Sequence, residues 1–333
     1  MKILVISTGG TIASSKGEDG LVPTMPGEAL LQEVPQLGTI ADFEVLDLIS
    51  VDSSNINHGD WVKIIEAIVA NEKKFDGFIV SHGTDTMAYT AAALSFVLRG
   101  FPHPVVITGA MLPMGDPKTD ARDNLLHAFM FAKALKEEGR SGVSLCFAGI
   151  LIHGPRSKKI SAKRMNAFES VYYPAIGTIE DGRAMLTHTP AINTTELIDR
   201  EHIAFDASIL PVKVYPGFPA RYMEQCVAMQ PKAIVAECFG LGGLPYLGEN
   251  LLPAVTQALD EGIIVVITTQ CPEGGVDLAT YDVGQKSLKL GVLSGEDMGC
   301  EAIITKLMWL LPRIDRERIP EMFAFNFCDE IGQ

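Results

Sequence analysis

Two segments of this chain run from β-branched residues into glycine and threonine. One is Lys2-Ile-Leu-Val-Ile-Ser-Thr-Gly-Gly-Thr-Ile-Ala13. The other is Phe78-Ile-Val-Ser-His-Gly-Thr-Asp-Thr-Met-Ala88. Each has the look of a buried parallel strand, and the carboxyl end of such a strand is where open α/β sheets place their chemistry. Thr11, Thr84 and Asp85 stand at those ends. Hydroxyls beside a carboxylate suit nucleophilic attack on a small polar substrate, provided a base takes the hydroxyl proton. The competing structural account is a strand–turn–helix junction, in which Thr84 or Asp85 caps the helix that begins near Thr86.

A third segment, His153-Gly-Pro-Arg-Ser-Lys-Lys-Ile160, follows another strand and gathers Arg156, Lys158, Lys159, Lys163 and Arg164. A solvated basic loop is the plain reading. If Gly-Pro holds it at the same sheet edge, a lysine there reaches Asp85 and Thr84. Other chemistries lack their signatures. Ser7-Thr-Gly-Gly-Thr-Ile12 lacks the G-x-G-x-x-G spacing, and no Gly-Lys-Ser/Thr follows it. Gly240-Leu-Gly-Gly-Leu-Pro245 is the nearest dinucleotide lookalike, yet it ends in proline and comes late in the chain. The G-x-S-x-G elbow is absent. The seven histidines are scattered without metal-ligand spacing. His82 is expected to be a structural hydrogen bonder.

The elements that must position these residues alternate. Strands are expected near 2–8, 43–49, 76–82, 104–109 and 143–152. Helices are expected between them, one placing Trp61, Ile64, Ile65 and Ile68 on one face. A polar loop opens after Thr11, over 14–20. Residues 177–208 break the rhythm with polar, turn-rich sequence. Strands resume at 209–214, 232–239 and 263–269, with helices at 219–229, 250–261, 299–312 and 316–324. The expected class is α/β, with a larger N-terminal and a smaller C-terminal α/β domain. Each has a mostly parallel sheet covered by helices. The domains are expected at 1–185 and 209–333, with a linker over 186–208.

The 333 residues are 47% hydrophobic and 20% charged, enough for a sizeable core. The net charge of −14 repels phosphate backbones and anionic lipid, so no nucleic-acid or membrane partner is expected. The six cysteines form no C-x-x-C pair, and most lie in apolar runs, as reduced core thiols do. The chain opens on a strand with no leader pattern, and no apolar run approaches spanning length. A cytoplasmic location is expected.

Taken together, these segments resemble the bacterial-type L-asparaginase family, in its cytoplasmic type I branch. Thr8-Gly-Gly-Thr-Ile-Ala13 and His82-Gly-Thr-Asp-Thr-Met87, in this order, carry the resemblance. Asp52-Ser-Ser54, Ile107-Thr-Gly-Ala110, Asn166-Ala-Phe-Glu-Ser170 and Thr268-Thr-Gln-Cys271 extend it over nearly the whole chain. The resemblance implies hydrolysis of L-asparagine to aspartate and ammonia through an acyl-threonine, with no cofactor and no metal. It implies Thr11 as nucleophile, with Thr84, Asp85 and Lys159 as a second catalytic cluster. Lys159 is preferred to Lys158 by its spacing before Ala167-Phe168. Asp52, Ser53 and Ser54 are implied to hold the substrate's α-carboxylate and α-amino groups, and the Ala110 carbonyl its amide. The family forms dimers, often paired into tetramers, so a homodimer or homotetramer is expected.

Two positions depart from the pattern. Many members carry a tyrosine in the loop after the first threonine, where this chain has Leu21, which has no proton to transfer. Some relatives reach a neighbouring subunit's site with an asparagine in the C-terminal glycine turn, where Gly240–Gly243 offers only backbone. Alternatives are a glutaminase, an amidase working within a tRNA-dependent amidotransferase, and a non-catalytic amino-acid sensor, which Leu21 keeps in view. The amidotransferase component usually carries an added N-terminal domain. This chain is expected to lack one, since its first strand starts at Lys2.

Overall fold

The computed structural model describes residues 1–16, 21–23, 25–197 and 199–332. It divides into two compact units, Met1–Ile203 with Phe327–Asp329, and Ala204–Asn326 with Glu330–Gln333. The division falls inside the stretch expected as linker. The stretch expected as the C-terminal domain, 209–333, gives residues 327–329 to the first unit.

In the first unit the strands are β1 (Lys2–Gly9), β2 (Ser14–Lys16), β3 (Leu21–Pro23), β4 (Asp42–Val51), β5 (Gly77–Ser81) and β6 (Pro104–Thr108). They continue as β7 (Gly142–Phe147), β8 (Ile150–His153), β9 (Ser157–Lys159), β10 (Phe168–Ser170), β11 (Gly177–Glu180) and β12 (Arg183–Leu186). The main sheet has the order β12-β11-β8-β7-β6-β5-β1-β4. From β4 to β7 all pairings are parallel, and β7-β8, β8-β11 and β11-β12 are antiparallel. β5 and β6 are buried along their whole length, as strands covered on both faces must be.

Two expectations are corrected here. The strand expected over 143–152 is a hairpin, turned at Ala148-Gly149, where both residues have positive φ. Residues 177–186, expected as turn-rich connection, form the β11–β12 hairpin that extends the sheet. Short antiparallel strands with half-exposed faces carry no continuous apolar run to announce them.

The helices of this unit are α1 (Gly27–Gln32), α2 (Leu37–Ile40), α3 (His58–Ala70), α4 (Met87–Val97) and α5 (Ala121–Glu137). α3 buries Trp61, Ile64, Ile65 and Ile68, the face expected from their spacing, and starts with an Asn57/Asp60 capping box. α4 is buried on nearly every side; its small alanines let neighbouring backbone approach.

The second unit has a smaller parallel sheet. Its strands are β13 (Ile209–Lys213), β14 (Ala233–Cys238), β15 (Ile264–Thr269) and β16 (Leu293–Ser294), in that spatial order. Around it lie α6 (Ala220–Ala228), α7 (Leu252–Asp260), α8 (Asp282–Leu290), α9 (Cys300–Leu310) and α10 (Ile319–Ala324). Helix α8 lies outside the expected set, because Gly284 interrupts its pattern. The Gly240–Gly243 turn closes on itself: the N–H groups of Gly242 and Gly243 both donate to the Phe239 carbonyl. Those donors are spent within the turn rather than offered to a phosphate.

The first unit thus places β1, β4, β5 and β6 side by side, and their carboxyl ends carry the candidate residues.

Candidate functional site

The two glycine turns meet through their backbones. Gly10 has a φ of 77°, and a Cβ built on it would lie 2.4 Å from both the N and the Cα of Gly83. Only glycine permits that approach in that conformation. Thr11 opens a short 3₁₀ turn, Thr11–Ala13, immediately after the contact and is partly exposed. The Gly10 N–H donates to the Val51 carbonyl at 3.0 Å, which ties the turn to the end of β4.

Asp52, Ser53 and Ser54 follow β4 directly. The Asp52 carboxylate caps the 3₁₀ turn Ser53–Asn55 by accepting the Ser54 N–H at 2.8 Å. Asp52 and Ser54 are exposed, whereas Ser53 is buried. The Ser53 hydroxyl accepts the Asp85 N–H at 3.2 Å, and its carbonyl accepts from the Thr86 hydroxyl at 2.8 Å. Ser53 therefore stitches its loop to the second motif. No local pattern announces this pairing between segments so far apart in the chain.

The second motif does not use its side chains as a cap. The residue preceding α4 is Thr86, which makes no side-chain cap bond. Thr84 is buried, and its Oγ1 accepts from Lys159 Nζ at 2.8 Å. The same ammonium pairs with Asp85 Oδ1 at 2.5 Å. A charge-assisted bond outcompetes a neutral cap for the same oxygen. The Lys159 side chain is 16% exposed and that of Asp85 is 58% exposed, so the cluster is closed on the lysine side and open on the carboxylate side.

Lys159 arrives by a defined route. The turn Gly154–Arg156 packs on α4, and β9 leaves it to pair antiparallel with β10, setting Lys159 opposite Phe168 and Lys158 opposite Glu169. Neighbours on a strand point to opposite faces, so only one of the two lysines can meet Thr84. The turn is held from behind by the returning C-terminal segment. His153 Nε2 lies 2.5 Å from the Cys328 carbonyl, and Arg156 Nε donates to the Asp329 carbonyl at 2.8 Å. The Asp329 carboxylate accepts from the Tyr173 hydroxyl at 2.5 Å and from the Ala191 N–H at 3.0 Å. No local motif marks this strap.

Ala110 is fully buried at the end of β6. Beneath the second motif, His82 is buried between Gly83 and Thr90, with ring contacts of 2.7 and 2.9 Å. Burial pushes its pKa down to about 4, against a raising effect from the Gly83 carbonyl. Leu21 begins β3, paired with Lys16, but its side chain lies outside the described residues, as do residues 17–20 of the polar loop. Among the described residues no group of three or more His, Cys, Asp or Glu could hold a metal ion, and no helix is long and apolar enough to cross a membrane.

Comparison with known proteins bears on both units. Residues 2–192 match the family described as "Asparaginase, N-terminal", and residues 209–323 match "Glutaminase/Asparaginase C-terminal domain". An L-asparaginase of Thermococcus kodakarensis is 39% identical over 338 residues, covering 99% of each chain. L-asparaginase 1 of Escherichia coli is 34% identical, covering 99% of this chain and 97% of its own. A glutamyl-tRNA(Gln) amidotransferase chain of Pyrococcus furiosus is 35% identical, covering 99% of this chain and 76% of its own. The solved structure of the thermostable Thermococcus kodakarensis L-asparaginase superposes with a TM-score of 0.90 at 38% identity, covering 100% of both chains.

Proposed function

Because the chain belongs to the asparaginase family, matched over 2–192 and 209–323, we propose that it hydrolyses L-asparagine to L-aspartate and ammonia through an acyl-threonine intermediate. The observation that carries this reading is the Thr84–Asp85–Lys159 cluster, whose turn lies against the one that carries Thr11.

Thr11 Oγ attacks the side-chain amide carbon, its hydroxyl proton passing by way of Thr84 to the amide nitrogen, and the carbonyl electrons move onto oxygen. Backbone N–H groups at the turns stabilise that oxyanion. The C–N bond then breaks, and nitrogen leaves as ammonia after gaining a proton. Water attacks the resulting ester, aspartate departs, and the Thr11 hydroxyl is restored. Thr84 accepts from an ammonium, which polarises its own O–H and suits it to relay a proton at the reacting amide. Lys159 and Asp85 hold it in that role. Exposed Asp52 and Ser54, with Asp85, meet the charged α-groups of the substrate, and Ser53 keeps that loop in register with Thr84. The Ala110 carbonyl receives the amide N–H. In this reading Thr11 is activated through this cluster, in place of the loop tyrosine that Leu21 cannot supply.

The match to the Thermococcus kodakarensis L-asparaginase is higher in identity than the match to the amidotransferase chain, and both L-asparaginases are covered more fully, which favours free asparagine as substrate. The six cysteines form no C-x-x-C pair and most lie in apolar runs, which suits a reducing, cytoplasmic setting. A homodimer or homotetramer is the expected assembly.

The deciding experiment is ammonia release from asparagine and from glutamine, by the wild type and by Thr11→Ala. Wild type should turn asparagine over, and the variant should lose roughly a thousandfold or more. Binding without turnover would instead identify a sensor, and a rate higher on glutamine would identify a glutaminase.

A further inference from the structure

Beneath the catalytic turn lies a hydrogen-bonded line of buried side chains. Trp61 Nε1 donates to Thr90 Oγ1 at 3.0 Å. Thr90 Oγ1 lies 2.9 Å from His82 Nε2, and His82 Nδ1 lies 2.7 Å from the Gly83 carbonyl. His82 and Thr90 are fully buried and Trp61 nearly so. The directions of these bonds follow from chemistry. A carbonyl can only accept, so Nδ1 carries the ring hydrogen. In the neutral ring Nε2 is then bare and accepts from the Thr90 hydroxyl, whose oxygen in turn accepts from the indole. One tautomer satisfies every partner.

The Gly83 carbonyl belongs to the peptide that joins Gly83 to Thr84. No peptide bond among the described residues is cis. In a trans peptide the carbonyl and the following N–H point in opposite directions. A carbonyl drawn inward to the buried ring therefore turns the Thr84 N–H outward, away from the interior. The rest of the turn is already clamped. The His82 N–H donates to the Thr108 carbonyl at 2.8 Å, and Gly83 is wedged against Gly10 and Ser53. Within the turn, the carbonyl of the 83–84 peptide has the His82 ring as its partner.

We propose that His82 is a positioning residue for the reaction: its Nδ1–H fixes the Gly83–Thr84 peptide so that the Thr84 N–H and hydroxyl face the substrate together. Thr90 and Trp61 hold the ring in the tautomer that does this. The inference rests on the reading of Thr84 as part of the catalytic cluster. His82 touches no reacting atom and acts only through the peptide.

The test compares side chains that keep or lose the one donor. Asparagine places an amide N–H near the position of Nδ1, whereas leucine fills the space with no donor. His82→Leu should lower kcat on asparagine about 100-fold, as a small misplacement of a reacting group does, with KM changed much less. His82→Asn should restore most of that loss. In the wild type, the ¹⁵N shifts of His82 should report a neutral ring protonated at Nδ1. Equal kcat losses in the asparagine and leucine variants would overturn the inference, as would a ring protonated at Nε2. So would an unchanged kcat in His82→Leu beside an inactive Thr84→Ala. Full activity in Thr84→Ala would overturn the parent reading, and the positioning role with it.

Discussion

Lys158 and Lys159 are adjacent, alike in charge and similarly half-buried, yet only Lys159 reaches Thr84 and Asp85. The strand alternation of β9 separates them. Lys159→Met should abolish asparagine turnover, with a loss of about a thousandfold or more. Lys158→Met should stay within a few-fold of wild type. Methionine keeps the apolar stem of each side chain, so a difference between the two reports the amine rather than lost packing. Steady-state kcat of the two purified variants decides it. If Lys158→Met proved the more damaging, the role given to Lys159 would fall. Ser53 makes a related point at the same scale. Its residue type suggests substrate binding, but its buried hydroxyl and carbonyl are committed to Asp85 and Thr86.

At the scale of elements, the site exists because two strand-ending turns touch. The contact leaves no room for a side chain at Gly10, which also has a left-handed φ. Gly10→Ala should therefore cost about 3 kcal/mol, combining overpacking with backbone strain. It should also lower turnover, since any relief moves Thr11 relative to Thr84. Urea-unfolding midpoints, with kcat measured well below the transition, check both effects. Gly139→Ala is the control, because Gly139 shares the positive φ but its added Cβ meets nothing within 4 Å. A Gly10 variant no worse than that control in stability and turnover would show that the turns are not in tight contact.

At the scale of the whole molecule, the buried histidine links stability to pH. His82 has a folded pKa of about 4, against 6.5 unperturbed. Between these values the unfolded chain binds a proton that the folded chain refuses. The contribution is fully present above pH 6.5 and declines as pH falls through that window, levelling off below about pH 4. The loss amounts to about 3 kcal/mol for this residue. Carboxylates titrate in the lower part of the same range, so the useful quantity is a difference. Between about pH 7 and about pH 4.5, His82→Asn should lose less unfolding free energy than wild type. Equal losses would show that the ring is protonated in the folded state.

The sequence alone determined the α/β class, the family resemblance and the candidates for the reactive groups. Those features are local: an apolar run that stops at glycine, a hydroxyl beside a carboxylate, a helix face repeating at Trp61, Ile64, Ile65 and Ile68. The tertiary structure decided which groups meet. The Gly10–Gly83 contact, the Ser53 bridge, the Trp61–Thr90–His82 line and the Cys328–Asp329 strap behind Arg156 all join residues distant in the chain. It also decided that Thr84 serves Lys159 rather than capping α4, and that residues 177–186 extend the sheet. Such pairings depend on the packing of strands and turns brought together from far apart. Periodicity in one segment records which face of an element is buried, but not which partner that face meets.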